Sequence, residues 1–190
     1  MDDAVVHCAT RRQAEQVREA IGRRLAETGL RLHPAKTRIA YCQDYRRRGS
    51  HERTSFTFLG YTFRPRAARR QGGRKFTSFA PAISSEALKA KSSEVRSWRI
   101  HRRSTWTLDG LAEAMNPIVR GWINYWGRYH RHQLYPLLNR INAYLVRWAR
   151  KKYKRLRSLN RAKAWWLAVT SRDPGLFAHW PVTTAFWAAG

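Results

Sequence analysis

Apolar residues recur at intervals of three and four over most of the chain after residue 84. That spacing places them on one face of an α-helix and predicts helices over about 84–103, 108–131, 134–157 and 161–170. In the second of these helices, one face carries apolar residues that we expect to point into a core: Leu111, Met115, Ile118, Val119, Trp122 and Trp126. The C-terminal half is therefore predicted to contain helices only.

The N-terminal segment follows a different pattern. The apolar run Ala4–Cys8 is typical of a short buried strand. Thr10 and Gln13 form a capping-box pair, and the helix that they begin is predicted to end near Gly29, because glycine commonly follows the last turn of a helix. A second strand is predicted over Lys36–Tyr41. This part of the chain is therefore predicted to be a strand–helix–strand unit.

Aromatic residues dominate the segment 56–63, which we predict to be one strand around Gly60. Gly72-Gly73 supplies a hairpin turn before another strand, Arg74–Phe79. The whole pattern predicts an α+β fold, in which short strands, one helix and a β-hairpin precede an all-helical bundle.

The charge of the chain indicates its partners. Lys and Arg number 38 against 12 Asp and Glu, a formal net charge of +26. The excess is uneven, because residues 1–45 carry +2 whereas residues 46–110 and 111–190 carry +12 each. Such a field favours a polyanion, with nucleic acid as the first candidate and an anionic membrane surface as the second.

Two basic clusters are candidate nucleic-acid sites. On the predicted helix 108–131, polar residues at steps of three or four form a stripe opposite the apolar face, and the basic run 150–157 ends the next predicted helix. Cations there could bind phosphates and nearby aromatic rings could stack on unpaired bases, although a solvated helix face is the alternative interpretation. The candidate residues are Arg120, Trp122, Asn124, Tyr125, Arg128, Arg131, Arg150, Lys151, Lys152, Lys154, Arg155 and Arg157.

Other candidate chemistry lies near the N-terminus. Asp2 and Asp3 precede the predicted strand Ala4–Cys8, and adjacent carboxylates beside a strand can hold the divalent ions of phosphoryl transfer. Lys36 and Thr37 begin the next predicted strand. For both motifs the alternative is a set of exposed polar side chains. The two cysteines of the chain are too few for a disulfide framework or a Cys-rich zinc module.

The order of these motifs is informative. An Asp-Asp pair before an apolar strand is followed by a helix ending in Gly-Leu, by Pro34-Ala35-Lys36-Thr37 and by Phe56-Thr57-Phe58-Leu59-Gly60-Tyr61. Further on stands Asn116-Pro117-Ile118-Val119-Arg120-Gly121-Trp122-Ile123-Asn124-Tyr125. This series resembles the later palm motifs and the maturase region of bacterial group II intron-encoded reverse transcriptases, and the resemblance covers nearly the whole chain.

The resemblance implies roles for several residues. Asp2 and Asp3 match the metal-binding pair of the palm, and Lys36 would lie near the incoming nucleotide. Phe58, Leu59, Gly60 and Tyr61 would form a primer-grip-like hairpin. The third catalytic carboxylate and the fingers of that family have no counterpart in these 190 residues. We therefore expect Mg²⁺ only where a complete palm is assembled, and no polymerase activity from this chain alone.

The resemblance also implies a domain organisation and a function. Residues 1–80 would be the C-terminal remnant of a palm, and residues 81–190 the helical thumb and maturase-specific region. We expect an RNA-binding protein that assists group II intron folding and splicing, with structured intron RNA, an RNA/DNA duplex and an N-terminal reverse transcriptase fragment as partners. The alternatives are a piece of a split reverse transcriptase, a generic RNA-binding protein or a truncated remnant without function. Because the chain shows no signal-peptide or membrane-spanning pattern, we expect a cytoplasmic location.

Overall fold

The computed structural model describes residues 3–47, 49–70 and 72–183 and divides into two compact units, Met1–Pro81 and Ala82–Gly190. The first unit begins with α1 (Arg11–Glu27). The Thr10 hydroxyl accepts a hydrogen bond from the Gln13 N–H, and the Ala9 N–H donates to Gln13 Oε1, which confirms the predicted start of this helix. Gly29 follows with φ 73°, in the left-handed conformation that often ends helices.

The predicted strands Ala4–Cys8 and Lys36–Tyr41 are wrong, because both segments are irregular. A strand needs a neighbour to satisfy its backbone groups, and within the described residues neither segment pairs in a sheet. Val5 is 39% and Val6 55% exposed. The apolar sequence of Ala4–Cys8 therefore favours a strand, but the described residues contain no neighbouring strand with which it pairs.

The sheet of the first unit contains β1 (Phe56–Phe58), β2 (Tyr61–Arg69) and β3 (Lys75–Ile83), in that spatial order. The predicted single strand over 56–63 is in fact the antiparallel hairpin of β1 and β2. Leu59 and Gly60 form its two-residue turn with φ values of 48° and 74°, the positive pair that type I′ turns require. The second predicted hairpin, around Gly72-Gly73, is confirmed between β2 and β3.

The second unit is helical, as predicted. It contains α2 (Ser85–Ser97), α3 (Leu108–Trp126), α4 (Tyr135–Lys152) and α5 (Leu159–Arg172), joined by short 3₁₀ turns. Three of the helices begin at hydroxyl residues whose side chains accept a backbone N–H hydrogen bond, namely Ser84, Thr107 and Ser158. The mixed architecture agrees with the predicted α+β class.

The core of the second unit surrounds α4. Fully buried side chains on this helix recur at helical spacing and include Leu138, Ile141, Leu145 and Trp148. Leu111, Val119 and Trp122 of α3 are also buried, which confirms most of the predicted core face. Ile118 is the exception, because it is 40% exposed.

The helices α2, α3 and α4 are shorter than the periodicity predicts, whereas α5 is longer, at Leu159–Arg172 instead of residues 161–170. α3 ends at Trp126 instead of residue 131, and Gly127 follows as its C-cap, with its N–H donating to the carbonyl oxygen of Ile123. A Cβ on Gly127 would clash with that same oxygen. The predicted helix over 84–103 likewise stops at Ser97, and Arg99 adopts a left-handed φ of 48°. Apolar spacing continued across these breaks and therefore could not reveal them.

The two glycines near the end of α3 should respond oppositely to alanine. Gly127→Ala should destabilise the second unit by about 1–3 kcal/mol, since the added methyl forces the backbone to shift. Gly121→Ala is the control, because Gly121 lies within α3 and nothing comes within 4 Å of an added Cβ. That change should stabilise by about 0.5–1 kcal/mol. All nine Trp lie at or after residue 98, so Trp fluorescence during urea unfolding reports on this unit. Equal effects of the two changes would contradict the cap assignment.

The segment after α5 packs into the same core. Phe177 and His179 are fully buried, and Trp180 is 3% exposed. Asn142 of α4 accepts a hydrogen bond from His179 Nε2 at 2.7 Å and donates to Thr183 Oγ1 at 3.2 Å. Burial lowers the pKa of His179 to about 3, so the ring is neutral at pH 7. Because Asn142 uses its Nδ2 for Thr183 and presents Oδ1 to the ring, the proton is assigned to Nε2. Within the part of the chain that the structure describes, no helix is long and apolar enough to cross a membrane.

Candidate nucleic-acid interface

The predicted polar stripe on α3 is only partly helical. Arg120 and Asn124 lie on α3 and are exposed. Arg128 follows the helix end, and Arg131 begins a 3₁₀ turn. The four residues are therefore not the continuous helical row that the spacing predicted, although all remain on the surface.

These side chains differ in their freedom to bind a ligand. Among the described residues, Arg120 and Arg128 take part in no ion pair. Arg131 Nε donates to the Gly127 carbonyl at 3.4 Å, a long and weak hydrogen bond. Tyr125 is 45% exposed and lies edge-on to Trp126. Arg120, Arg128 and Tyr125 are therefore the exposed members of this cluster that could contact a phosphate or a base of a nucleic acid.

Trp122 is a correction to the predicted interface. It is 6% exposed and stacks on Trp98, with ring centroids 5.4 Å apart and planes at 12°. Lys91 Nζ lies 5.4 Å from the Trp122 ring centroid. Trp122 thus serves the core between α2 and α3, and its ring is not available for stacking on a base.

Asn116, which opens the motif of α3, also faces inward. Its Nδ2 donates to the Leu176 carbonyl, and its Oδ1 accepts from the Ala178 N–H, both at 2.8 Å. The amide thus satisfies two backbone groups of the segment after α5. The motif combines one structural amide with the exposed cation Arg120.

The basic run 150–157 divides into two groups. Arg150 donates from Nε and Nη2 to the carbonyl of Arg157, at 3.0 and 2.7 Å. Lys152 donates to the carbonyl of Trp106 and lies over the Trp148 ring at 5.3 Å from its centroid. These two side chains are therefore engaged within the helical unit and are less available to a ligand than their neighbours.

The remaining cations of the run are Lys151, Lys154, Arg155 and Arg157. All are exposed, and within the described residues none makes an ion pair or a side-chain hydrogen bond. Leu156, 5% exposed, anchors the 3₁₀ turn Lys154–Leu156 that carries Lys154 and Arg155, while Lys151 lies on the last turn of α4 and Arg157 directly follows the 3₁₀ turn. Four unpaired charges on one short, anchored segment form a cluster suited to successive phosphates. We call these four residues the α4-end cluster.

A third group of cations, which was not predicted from the sequence, lies on α4. Arg140, Tyr144, Arg147 and Lys151 follow one another on α4 at helical spacing. The guanidinium of Arg147 lies 5.5 Å from the Tyr144 ring centroid. The ring of His101 also stacks on Tyr144, with the two ring centroids 5.9 Å apart. The same three-and-four spacing that marked α3 would have revealed this row.

The palm-like candidates lie in the first unit. Asp3 and Lys36 are exposed, and Asp2 lies outside the described residues. Phe58, Leu59, Gly60 and Tyr61 are the turn of the β1–β2 hairpin, where Leu59 is 64% exposed. No three His, Cys, Asp or Glu side chains of the described residues come together as metal ligands. The roles of these residues and of Mg²⁺ therefore stay predictions.

Charge balance distinguishes the helical unit. Residues 111–190 contain 14 basic residues and only the carboxylates Glu113 and Asp173. Asp173 pairs with Arg172 at 2.8 Å, and the side chains are 49% and 73% exposed. The positive charge of residues 111–190 is thus compensated at very few positions, which favours a polyanionic partner.

Comparison with known families places both parts of the chain. Residues 88–166 match the group II intron, maturase-specific domain, and residues 1–63 match the reverse transcriptase (RNA-dependent DNA polymerase) family. No curated protein and no solved structure matches the chain. Reverse transcriptase sequence followed by a maturase-specific domain identifies the chain as part of the group II intron reverse transcriptase/maturase family.

Proposed function

We propose that this protein binds structured group II intron RNA through its helical unit and assists the RNA folding on which splicing depends. One observation carries the proposal. The α4-end cluster presents four exposed cations that are unpaired among the described residues, and all four lie within residues 88–166, which match the maturase-specific domain.

The chemistry suits a folding cofactor. Intron RNA must bring phosphate backbones close together, and that compaction is opposed by charge repulsion. Cations held on a packed helix neutralise phosphates without the mobility of free counterions. In this proposal the protein supplies no reacting group, because the RNA performs its own chemistry.

We also assign the units by the families that they match. The hairpin and α1 would be the palm-derived part, and α2 to α5 the thumb and maturase region. Within the helical unit, Arg120, Asn124, Tyr125, Arg128 and Arg131 would add a second set of RNA contacts to the α4-end cluster.

Binding measurements test this proposal. We expect the purified chain to bind a bacterial group II intron RNA more tightly than a shuffled-sequence RNA of equal length in filter-binding assays. Contacts to six or more phosphates would weaken binding by roughly 10³–10⁵-fold between about 50 and about 200 mM salt. Equal affinity for both RNAs would favour a generic RNA-binding protein, and salt-insensitive binding would contradict phosphate contacts altogether.

A second candidate function is completion of a reverse transcriptase. It is favoured by the first unit, where α1 has no buried residue and Val6 is 55% exposed within a segment that matches the reverse transcriptase family. A palm and fingers fragment would cover these surfaces, and only that assembly would use Mg²⁺ with Asp2 and Asp3. Primer extension by the chain with such a fragment would support this function, and extension by the chain alone would contradict our assignment.

A further inference from the structure

A narrow slot lies between the α2–α3 connection and the first half of α3. Its volume is about 130 Å³, and its walls include Trp98, Arg103, Trp106, Ala114, Met115 and Ile118. This is well below the roughly 300–1,000 Å³ of sites that hold drug-sized ligands. The slot has room for one small, flat group and not for a helix or strand.

The slot is apolar but exposed at its mouth. Trp106 is 38% and Ile118 is 40% exposed, although both are large apolar residues. Met115, which also lines the slot, is buried, with 6% of its surface exposed. Leaving such surface in water is unfavourable, and apolar walls with a few polar groups are typical of ligand pockets.

Arg103 supplies the polar group. Its guanidinium stacks over Trp106 at 4.4 Å from the ring centroid, and its Nε donates to the Trp98 carbonyl at 3.1 Å. Within the described residues its two terminal nitrogens donate no hydrogen bond. A fixed arginine with free N–H groups beside an apolar slot can both stack on a base and donate to the acceptors on its edge.

The walls are held rigidly. The Trp148 indole N–H donates to the Arg103 carbonyl at 2.8 Å, and Lys152 donates to the carbonyl of Trp106. Arg99 adopts a left-handed backbone conformation, and its carbonyl oxygen accepts a hydrogen bond from the backbone N–H of Arg102 at 2.7 Å. The buried helix α4 thus fixes the connection that forms one wall, so the slot does not need to be formed by its ligand.

The charge of the residues around the slot indicates which class of ligand it suits. Residues 96–103 contain four arginines and no carboxylate; the flanking carboxylates are Glu94, which pairs with Lys91 at 2.7 Å, and Asp109. Arg99 and Arg102 are exposed and unpaired within the described residues. An apolar slot lined by Arg103, in a segment that carries three further arginines, suits a ligand that joins a flat aromatic ring to flanking phosphates.

We propose that this slot binds a single unpaired base of the bound RNA, with Arg99 and Arg102 contacting the adjoining phosphates. The proposal rests on the RNA binding proposed above and deepens it. It adds recognition of an exposed nucleobase to contacts that otherwise involve the backbone, and it assigns a role to a connection that lies outside both predicted basic clusters.

The test compares RNAs of equal charge. The probes are a single-stranded oligoadenylate of about 12 nucleotides and an abasic ribose-phosphate strand of the same length. The unmodified protein should bind the first roughly 5- to 30-fold more tightly, because stacking contributes only when bases are present. Ala114→Phe should fill the slot and remove most of this difference while leaving affinity for the abasic strand unchanged. Ala168→Phe is the control, since Ala168 is exposed on α5 and does not line the slot.

The outcomes separate the two proposals. If neither strand binds in a salt-sensitive manner, the RNA-binding function itself fails. If both strands bind and Ala114→Phe weakens them equally, or weakens neither, the slot does not hold a base. Unchanged urea midpoints by Trp fluorescence would establish that the variants fold, and a variant that fails this check is replaced by Ile118→Gln, which makes the mouth of the slot polar.

Discussion

Replacing Lys151, Lys154, Arg155 and Arg157 by Gln should weaken binding to group II intron RNA by roughly 10²–10³-fold at about 100 mM salt. The estimate assumes that each side chain of the α4-end cluster neutralises one phosphate and releases its counterions. The slope of log affinity against log salt should become shallower by about 3, which filter binding over a salt series would measure.

The fold should tolerate this change. The four side chains are exposed and unpaired among the described residues, and the structural hydrogen bonds of the run come from Arg150 and Lys152. We therefore expect the urea midpoint to remain within the small range typical of surface substitutions.

A charge-matched control separates the cluster from the overall field. Arg12, Arg18, Arg23 and Arg31 are exposed in the first unit and make no ion pair among the described residues. Replacing these four by Gln removes the same charge. If that variant loses as much affinity and as much salt dependence as the first, RNA binding depends on net charge and the α4-end cluster is not the site.

Asn142→Ala should destabilise the helical unit by about 3–4 kcal/mol. Asn142 is fully buried and accepts the proton of His179 Nε2, so its removal leaves a buried N–H without an acceptor and opens a small cavity. This is a large share of the roughly 5–15 kcal/mol that stabilises a typical domain. Urea unfolding followed by Trp fluorescence would measure the loss.

Asn160→Ala is the matched control. Asn160 is exposed near the start of α5, and its loss should change the unfolding free energy by less than about 0.5 kcal/mol. A near-neutral Asn142→Ala would mean that the segment carrying His179 does not pack on α4 as described. Because neither residue belongs to the cation clusters, RNA affinity per folded molecule should be unchanged in both variants.

The two predictions separate residues that the sequence presents alike. Arg150, Lys151 and Lys152 are consecutive cations, yet two of them donate to backbone carbonyls and one is free. Helical position explains the difference, since neighbouring residues on a helix point about 100° apart and only some face the core. A count of charges therefore overestimates the number available to RNA.

Periodicity by itself determined the helical half, including most of the buried faces of α3 and α4. A hydrophobic face recurs at a spacing that only a helix satisfies, so no knowledge of the partner surface is required. The order of the motifs was equally informative, because it indicated the family that the matches to residues 1–63 and 88–166 then showed. The capping pair of Thr10 and Gln13 also needed only local chemistry.

Tertiary structure alone decided where the helices end, which cations are free and where the slot lies. Strand formation over Ala4–Cys8 depends on a paired neighbour, and the fate of Arg150 and Lys152 depends on carbonyl groups that the fold brings to them. The slot joins residues from the α2–α3 connection with residues of α3, and its rigidity comes from Trp148, more than forty positions further along. Such contacts depend on distances in space, which the spacing of residues along a chain does not contain.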